Sequence, residues 1–376
     1  MLCLRITFSD KTVKRMFQNL LEREKYAKFA DRKNNGGRVG EQNDAPPRKI
    51  TKTSAMEKKD LRIIFMGTPE FAVGTLSRLV EGGYNVVAVV TQPDKPVGRH
   101  QDHLQPSEVK QYAEAHGLPV LQPVKMKDPE FVARLQSFEA DLQVVVAFRM
   151  LPEVVWAMPR FGTFNVHAAL LPQYRGAAPI NWAVINGETE TGVTTFFLDH
   201  DIDTGRIILS KRFAIPDEAN VEYVYDGLMA LGADAAVETV DAILAGDGQV
   251  ASADQAPLAE GTVLHGAPKI FKDTCRIDWN LPAKRVYDFV RGLSPYPGAW
   301  TMLSAKNVVL KVYGAAKTGQ ACSEAPGTVS VDGHRLLVAT ADEWLSLREV
   351  QMAGKKRMAA DAFLNGNRDL DLCVCQ

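Results

Sequence analysis

Three polar clusters carry the residue types that acyl transfer needs. Asn165-Val166-His167 ends a short apolar run, and strand alternation puts Asn165 and His167 on one side of it. A loop follows, Leu170-Leu171-Pro172-Gln173-Tyr174-Arg175-Gly176-Ala177-Ala178-Pro179. The third cluster, Asp199-His200-Asp201-Ile202-Asp203-Thr204-Gly205, comes after the next apolar run. A side-chain amide can donate to a carbonyl oxygen, and an imidazole can stabilise or protonate the oxyanion that forms. A carboxylate can fix the imidazole tautomer and take a proton from an attacking amine. An amine nucleophile needs no covalent intermediate, so the lack of an obvious activated serine or cysteine fits this chemistry. On the residues alone, two plainer readings stand beside it. A strand histidine can be a hydrogen-bonded core residue, and an aspartate before Thr-Gly can be a turn former.

For these clusters to meet, the elements carrying them must bring their ends to one edge. From residue 61 the chain alternates short apolar runs with helical periods: Ile63–Met66, Asn85–Thr91, Val120–Gln122, Leu142–Phe148, Phe164–His167 and Gly192–Leu198 read as strands. Runs that are continuous rather than alternating, joined by helices, predict a mostly parallel sheet covered on both faces. Residues 61–246 are therefore expected to form a Rossmann-like α/β domain, with ligands bound beyond the carboxyl ends of its strands. All three clusters are placed at such ends. Ser107 is expected to cap a helix running to His116, and residues 220–244 to form a long closing helix. Gly67-Thr68-Pro69 lacks GxGxxG and reads as a tight turn, not a dinucleotide loop. The connection from Gln92 to Pro106 is long and polar. Residues 247–268, rich in Gly, Ala and Pro, read as a linker. The texture then changes to short β-like runs after a helix at 283–293, predicting a small OB-type β-barrel over residues 269–376.

The bulk numbers exclude several classes. A chain of 376 residues, 46% hydrophobic and 24% charged, has an ordinary globular composition and no apolar run long enough to span a membrane. The formal net charge is −1, but residues 1–60 carry fifteen Lys/Arg against eight Asp/Glu, so the remainder is acidic overall. Any RNA contact by the folded part must come from local basic patches. Five scattered cysteines without a CxxC pair point to reduced thiols in the cytoplasm and no metal site. Residues 1–60 read as a disordered or artefactual tail, without the apolar core of an export signal. Met56 is a natural translation start, and deleting residues 1–55 is expected to leave activity unchanged.

Several segments resemble one family. They are Phe65-Met66-Gly67-Thr68-Pro69-Glu70-Phe71-Ala72, Thr91-Gln92-Pro93-Asp94-Lys95-Pro96-Val97-Gly98-Arg99, Asn165-Val166-His167-Ala168-Ala169-Leu170-Leu171-Pro172, Tyr174-Arg175-Gly176-Ala177-Ala178-Pro179, Asp203-Thr204-Gly205, Arg276-Ile277-Asp278-Trp279 and Ala353-Gly354-Lys355-Lys356-Arg357. From about residue 61 to residue 365 the chain resembles the methionyl-tRNA formyltransferases, within the wider group of enzymes using 10-formyltetrahydrofolate. The resemblance implies that Asn165, His167 and Asp203 are the catalytic set. It places the reduced folate against Phe148, Arg149, Leu151, Leu170, Leu171, Pro172 and Gly176, although Phe148-Arg149 stands where many relatives have Tyr-Gly. It assigns the Gln92–Pro106 loop, with Lys95 and Arg99, to the tRNA acceptor end. Lys269, Lys272, Lys355, Lys356 and Arg357 become a basic surface for the tRNA backbone. His200 and Asp201 are given no catalytic role.

The function so implied is transfer of a formyl group from 10-formyltetrahydrofolate to the methionine of initiator Met-tRNA, by a cytoplasmic monomer with no membrane or DNA partner. Two readings compete. The same catalytic set could serve a small amine (an amino sugar or a ribonucleotide amine) or water. A different class, a non-catalytic tRNA-binding protein, would bind tRNA without folate-dependent turnover.

Overall fold

The computed structural model describes residues 56–97, 103–255, 261–367, 370 and 373–376, all within one unit, Ser54–Gln376. Of the expected tail, residues 1–60, residues 1–55 lie outside the described residues, as does Arg99, while 56–60 are described and not a tail: Asn85 bonds the carbonyls of Lys58 and Lys59.

The first domain is a seven-stranded sheet in the order β10-β9-β7-β6-β1-β2-β5. Its elements in chain order are β1 (Arg62–Gly67), α1 (Glu70–Glu81), β2 (Asn85–Val90), β3 (Lys95–Val97), β4 (His103–Gln105), α2 (Glu108–Ala115), β5 (Val120–Leu121), α3 (Pro129–Gln136), β6 (Leu142–Val146), α4 (Glu153–Trp156), β7 (Thr163–His167), β8 (Arg175–Gly176), α5 (Pro179–Ile185), β9 (Glu190–Phe197), β10 (Ile207–Ala214) and α6 (Val221–Ala245). Strands β7, β6, β1, β2 and β5 run parallel, whereas β9 and β10 are antiparallel additions at one edge. The continuous apolar strands are explained by cover on both faces. Ile63, Phe65, Val144 and Val146 pack into the core formed with α1 and α6, while Ile64, Met66 and Val145 pack on the other face with Leu135 and Val155 of α3 and α4. The caps fall where side chains predict them: Ser107 accepts the Lys110 N–H, and Asn220 accepts that of Tyr223.

The polar loop after β2 is more ordered than its composition suggested. It leaves and re-enters as an antiparallel hairpin, Lys95 opposite Gln105 and Val97 opposite His103, with its tip outside the described residues. Its base is bolted down: Asp94 accepts from Lys110 Nζ and Gln122 Nε2, both at 2.7 Å.

The second domain follows β11 (Gly266–Ala267). It comprises α7 (Ala283–Gly292), β12 (Ala299–Leu303), β13 (Val308–Ala321), β14 (Val329–Asp332), β15 (Arg335–Ala339), β16 (Glu343–Met352), β17 (Met358–Ala359) and α8 (Ala360–Asn365). Its antiparallel sheet runs β12-β13-β16-β15-β14, with β17 on β16. The edges are joined by the chain's last residues, since Cys375 bridges Leu303 while Val374 bridges Thr328. That closure gives the barrel character expected of the β-like runs. Among the described residues no helix is long and apolar enough to cross a membrane. Cys275, Cys373 and Cys375 are buried in the second core.

The two domains are clamped through α7. Arg291 donates to the Ala219 carbonyl at 2.8 Å and pairs with Asp288 at 2.8 Å, and both side chains are almost fully buried. Tyr287 donates to Asp217 O, and Asn181 donates to Gly292 O.

Candidate active site

Strand β7 sets the first two residues. Phe164 and Val166 point into the α1/α6 core, so Asn165 and His167 share the opposite face, as alternation predicts. His167 is only 6% exposed, and its ring lies edge-on to Phe196. Nε2 lies 2.9 Å from the Tyr174 carbonyl. A carbonyl can only accept, so the proton belongs on Nε2. Nδ1 is left facing Asp203 Oδ2 at 3.8 Å, an ion-pair distance rather than a hydrogen bond. The two readings of this histidine therefore merge: one nitrogen is tied to main chain, and the other faces a carboxylate.

Asp203 reaches this point by a route that parallel-sheet logic misplaces. Because β9 runs antiparallel, its carboxyl end, Phe197, sits beside Phe164 at the amino end of β7 and not beside His167. The loop after β9 therefore has to turn back over the sheet face. It does so with Asp203 in the left-handed region at φ 56°, followed by Gly205, where a Cβ would lie 1.7 Å from the Phe197 carbonyl oxygen. Aspartate tolerates that conformation better than most residues. Its carboxylate accepts the Gly176 N–H at 2.9 Å, so the turn-former reading is incomplete: the side chain is committed across the site.

The loop between β7 and α5 is the other jaw. Leu171 N–H donates to Thr194 Oγ1, and Tyr174 N–H donates to His265 O at 2.7 Å. Burial and the hydrogen bond to Glu188 push the Tyr174 phenol well above its usual range. Gly176 has φ 126°, and a Cβ there would meet the Ala267 carbonyl oxygen at 2.5 Å. The described parts of the expected linker, 247–255 and 261–268, are thus fixed to the first domain. Strand β11 pairs with β8, Ala253 pairs with Ile207, and Gln255 bonds to both jaws. No sequence signal marks Gln255, which sits in a non-periodic, alanine-rich stretch.

The residues assigned to folate line this face unevenly. Leu151 and Leu171 are buried, while Phe148, Leu170, Pro172 and Gly176 are half-buried. Arg149 donates to the carbonyls of Pro123 and Val124, and burial lowers its proton affinity. It therefore joins two loops, with its guanidinium spent on main chain. His200 faces Glu153 and lies edge-on to Trp156, which ties the Asp203 loop to α4. Asp201 N–H bonds the Asp199 side chain. The loops so connected present Val124, Met150, Val154 and Ile202, each more than half exposed.

The basic residues are scattered around this centre. Lys95 is exposed at the start of the hairpin, and Lys269 lies over the exposed Phe271 ring at 5.5 Å. Lys272 is exposed, and its carbonyl accepts from Trp300. Lys355 and Lys356 project from the turn before β17. Arg357 is already paired with Glu349 and lies over Tyr313. Trp279 is buried, donating to Thr301, and Trp300 is partly buried against the same core.

Known proteins match this arrangement. Residues 61–240 match the formyl transferase family, and residues 269–368 match the formyl transferase C-terminal domain. A methionyl-tRNA formyltransferase of Parabacteroides distasonis is 59% identical over 84% of this chain and 98% of its own length. One from Bacteroides fragilis is 58% identical over 83% and 96%. Among solved structures, Aquifex aeolicus HypX in complex with tetrahydrofolic acid shares the fold, with 16% identity, TM-score 0.54, and 81% of this chain against 46% of HypX covered. With two domain matches in order and near-full-length relatives at this identity, the chain belongs to the methionyl-tRNA formyltransferase family.

Proposed function

We propose that this protein transfers the formyl group of 10-formyltetrahydrofolate to the amino group of methionine on initiator Met-tRNA. One observation carries the chemistry. His167 on β7 and the returning Asp203 loop converge at 3.8 Å, with His167 held by the Tyr174 carbonyl and Asp203 by the Gly176 N–H, and Asn165 lies on the same face of β7 as His167. The methionine amine attacks the formyl carbon and Asn165 donates to the developing oxyanion; because its Nε2–H is held by the Tyr174 carbonyl, His167 can add to this only from Nδ1, when that nitrogen also carries a proton. Asp203 takes the proton that the amine must lose. Collapse breaks the bond to N10, which takes up the proton that Asp203 received from the amine and leaves as tetrahydrofolate, so neither a group nor a proton stays on the enzyme. The 3.8 Å gap shortens as substrate fills the site, as catalytic contacts commonly do.

The partly buried Phe148 and Leu170, the buried Leu151 and Leu171, and exposed apolar side chains such as Met150 and Ile202 suit a pterin edge and its flat substituent. Lys95 on β3 and Arg99, four residues further along the chain, with Lys269, Lys272, Lys355, Lys356 and Arg357, make the tRNA surface in this reading. Arg357 contributes least, because Glu349 already neutralises it. The division of labour is 61–246 for chemistry, 247–268 for connection and 269–376 for tRNA. The protein works as a monomer in the cytoplasm. Formylation assays with Met-tRNA, a dTDP-amino sugar and water as competing acceptors test the acceptor. Turnover confined to Met-tRNA supports the proposal, and faster turnover of the sugar refutes it.

A further inference from the structure

We infer that Gln255 is a positioning residue for formyl transfer, holding the Asp203 turn in its left-handed conformation from the interdomain segment. The inference rests on the assignment of Asp203 to the catalytic set. Gln255 is half-buried, and its Nε2 donates to the Asp203 carbonyl at 2.8 Å and to the Gly205 carbonyl at 3.0 Å. Its Oε1 accepts from Arg175 Nε at 3.2 Å and from the same guanidinium's NH2 nitrogen at 2.5 Å. Flipping the amide would set donors against the guanidinium and an acceptor against two carbonyls, so the partners fix its orientation. The neighbouring chain is fixed as well, since Ala253 and Ile207 exchange main-chain hydrogen bonds at 2.8 and 2.9 Å.

The geometry tells against a role in bulk stability alone. Both amide donors land on the turn that carries the carboxylate, and the acceptor lands on Arg175, next to Gly176, whose N–H holds that carboxylate. One side chain thus spans the two jaws on either side of His167. Asp203 has φ 56°, a conformation that costs an L-residue free energy unless its surroundings hold it. Without Gln255 the turn can relax toward right-handed backbone and carry Oδ2 away from Gly176 N and from Nδ1. A shift of about 1 Å at a reacting group costs on the order of a hundredfold in rate. Gln255 touches neither substrate in this account, so binding is spared.

The test compares wild type, Gln255→Leu, Gln255→Glu, Asp203→Ala and Asp203→Ala/Gln255→Leu, by single-turnover formylation of Met-tRNA with 10-formyltetrahydrofolate. Thermal unfolding serves as the fold control. Gln255→Leu removes all four bonds. Gln255→Glu keeps the acceptor for Arg175 but loses both donors to the turn. Both variants are expected to slow the step roughly 10- to 100-fold with KM for Met-tRNA and folate within about twofold. In the Asp203→Ala background, Gln255→Leu is expected to cost nothing more, because it acts through the group already removed. Additive losses, a near-wild-type rate in Gln255→Glu, or a loss appearing in KM would each overturn the inference. Should Gln255→Leu not fold, Gln255→Glu decides alone. Full activity in Asp203→Ala would instead refute the catalytic assignment, whatever Gln255 does.

Discussion

His167 shows how residue-scale chemistry is built from main chain. Tyr174 O fixes the proton on Nε2, which leaves Nδ1 to face the carboxylate. His167→Ala and Asp203→Ala are expected to lose roughly 10²–10⁴-fold in kcat with tRNA affinity nearly unchanged, measured by steady-state kinetics and filter binding. Gly176 is a sharper case. A methyl group there meets Ala267 O at 2.5 Å on a backbone at φ 126°. Gly176→Ala is expected to lower both stability, by about 1–3 kcal/mol, and kcat, read from urea unfolding and turnover. Asn165 and His167 were legible in the sequence because a two-residue spacing on a strand has a fixed geometric meaning. Gln255 was not, because its partners are main-chain carbonyls and one arginine distant in sequence, and nothing local marks a glutamine for that duty. Nor could the Asp203 loop be oriented from sequence, since the antiparallel direction of β9 is decided by pairing with β7 rather than by its own residues.

At the scale of elements, β3 and β4 pair with each other rather than running as separate loop segments. Their anchor is Asp94, whose carboxyl is held below the usual carboxylate range by hydrogen bonds from Lys110 and Gln122. A depressed folded value means that the anchor is intact above the ordinary carboxylate range and is lost only as pH falls through the lowered one. Across neutral pH the strand pair therefore keeps its anchor. Asp94→Ala and Arg99→Ala are both expected to raise KM for Met-tRNA while leaving KM for the folate donor unchanged. A changed folate KM would contradict the assignment of this segment to tRNA. Residues 247–268 were read from their Gly, Ala and Pro content as a linker. Composition describes flexibility in isolation, yet here β11 and Gln255 are fixed by what they pair with.

The whole molecule joins a catalytic domain to a barrel through buried charge. Asp288 and Arg291 are almost fully buried, and Arg291 also bonds Ala219 O across the boundary. Removing one member leaves the other uncompensated, so Arg291→Met is expected to cost about 3 kcal/mol in urea unfolding, with Lys284 offsetting part of the loss at Asp288. The alternation of continuous strands and helices made the first domain legible, and the short β-like runs did the same for the second. The clamp was invisible because, although Asp288 pairs with Arg291 and Lys284 within α7, the bonds that cross the boundary run to main-chain carbonyls such as Ala219 O and Asp217 O, which no residue type marks. The most direct test of the account is a single-turnover measurement of formyl transfer from 10-formyltetrahydrofolate to initiator Met-tRNA by wild type and His167→Ala, with both substrates saturating. The account predicts rapid formyl-methionine formation by wild type and a step at least about a hundredfold slower in the variant at unchanged tRNA affinity. Equal rates in the two proteins would contradict it.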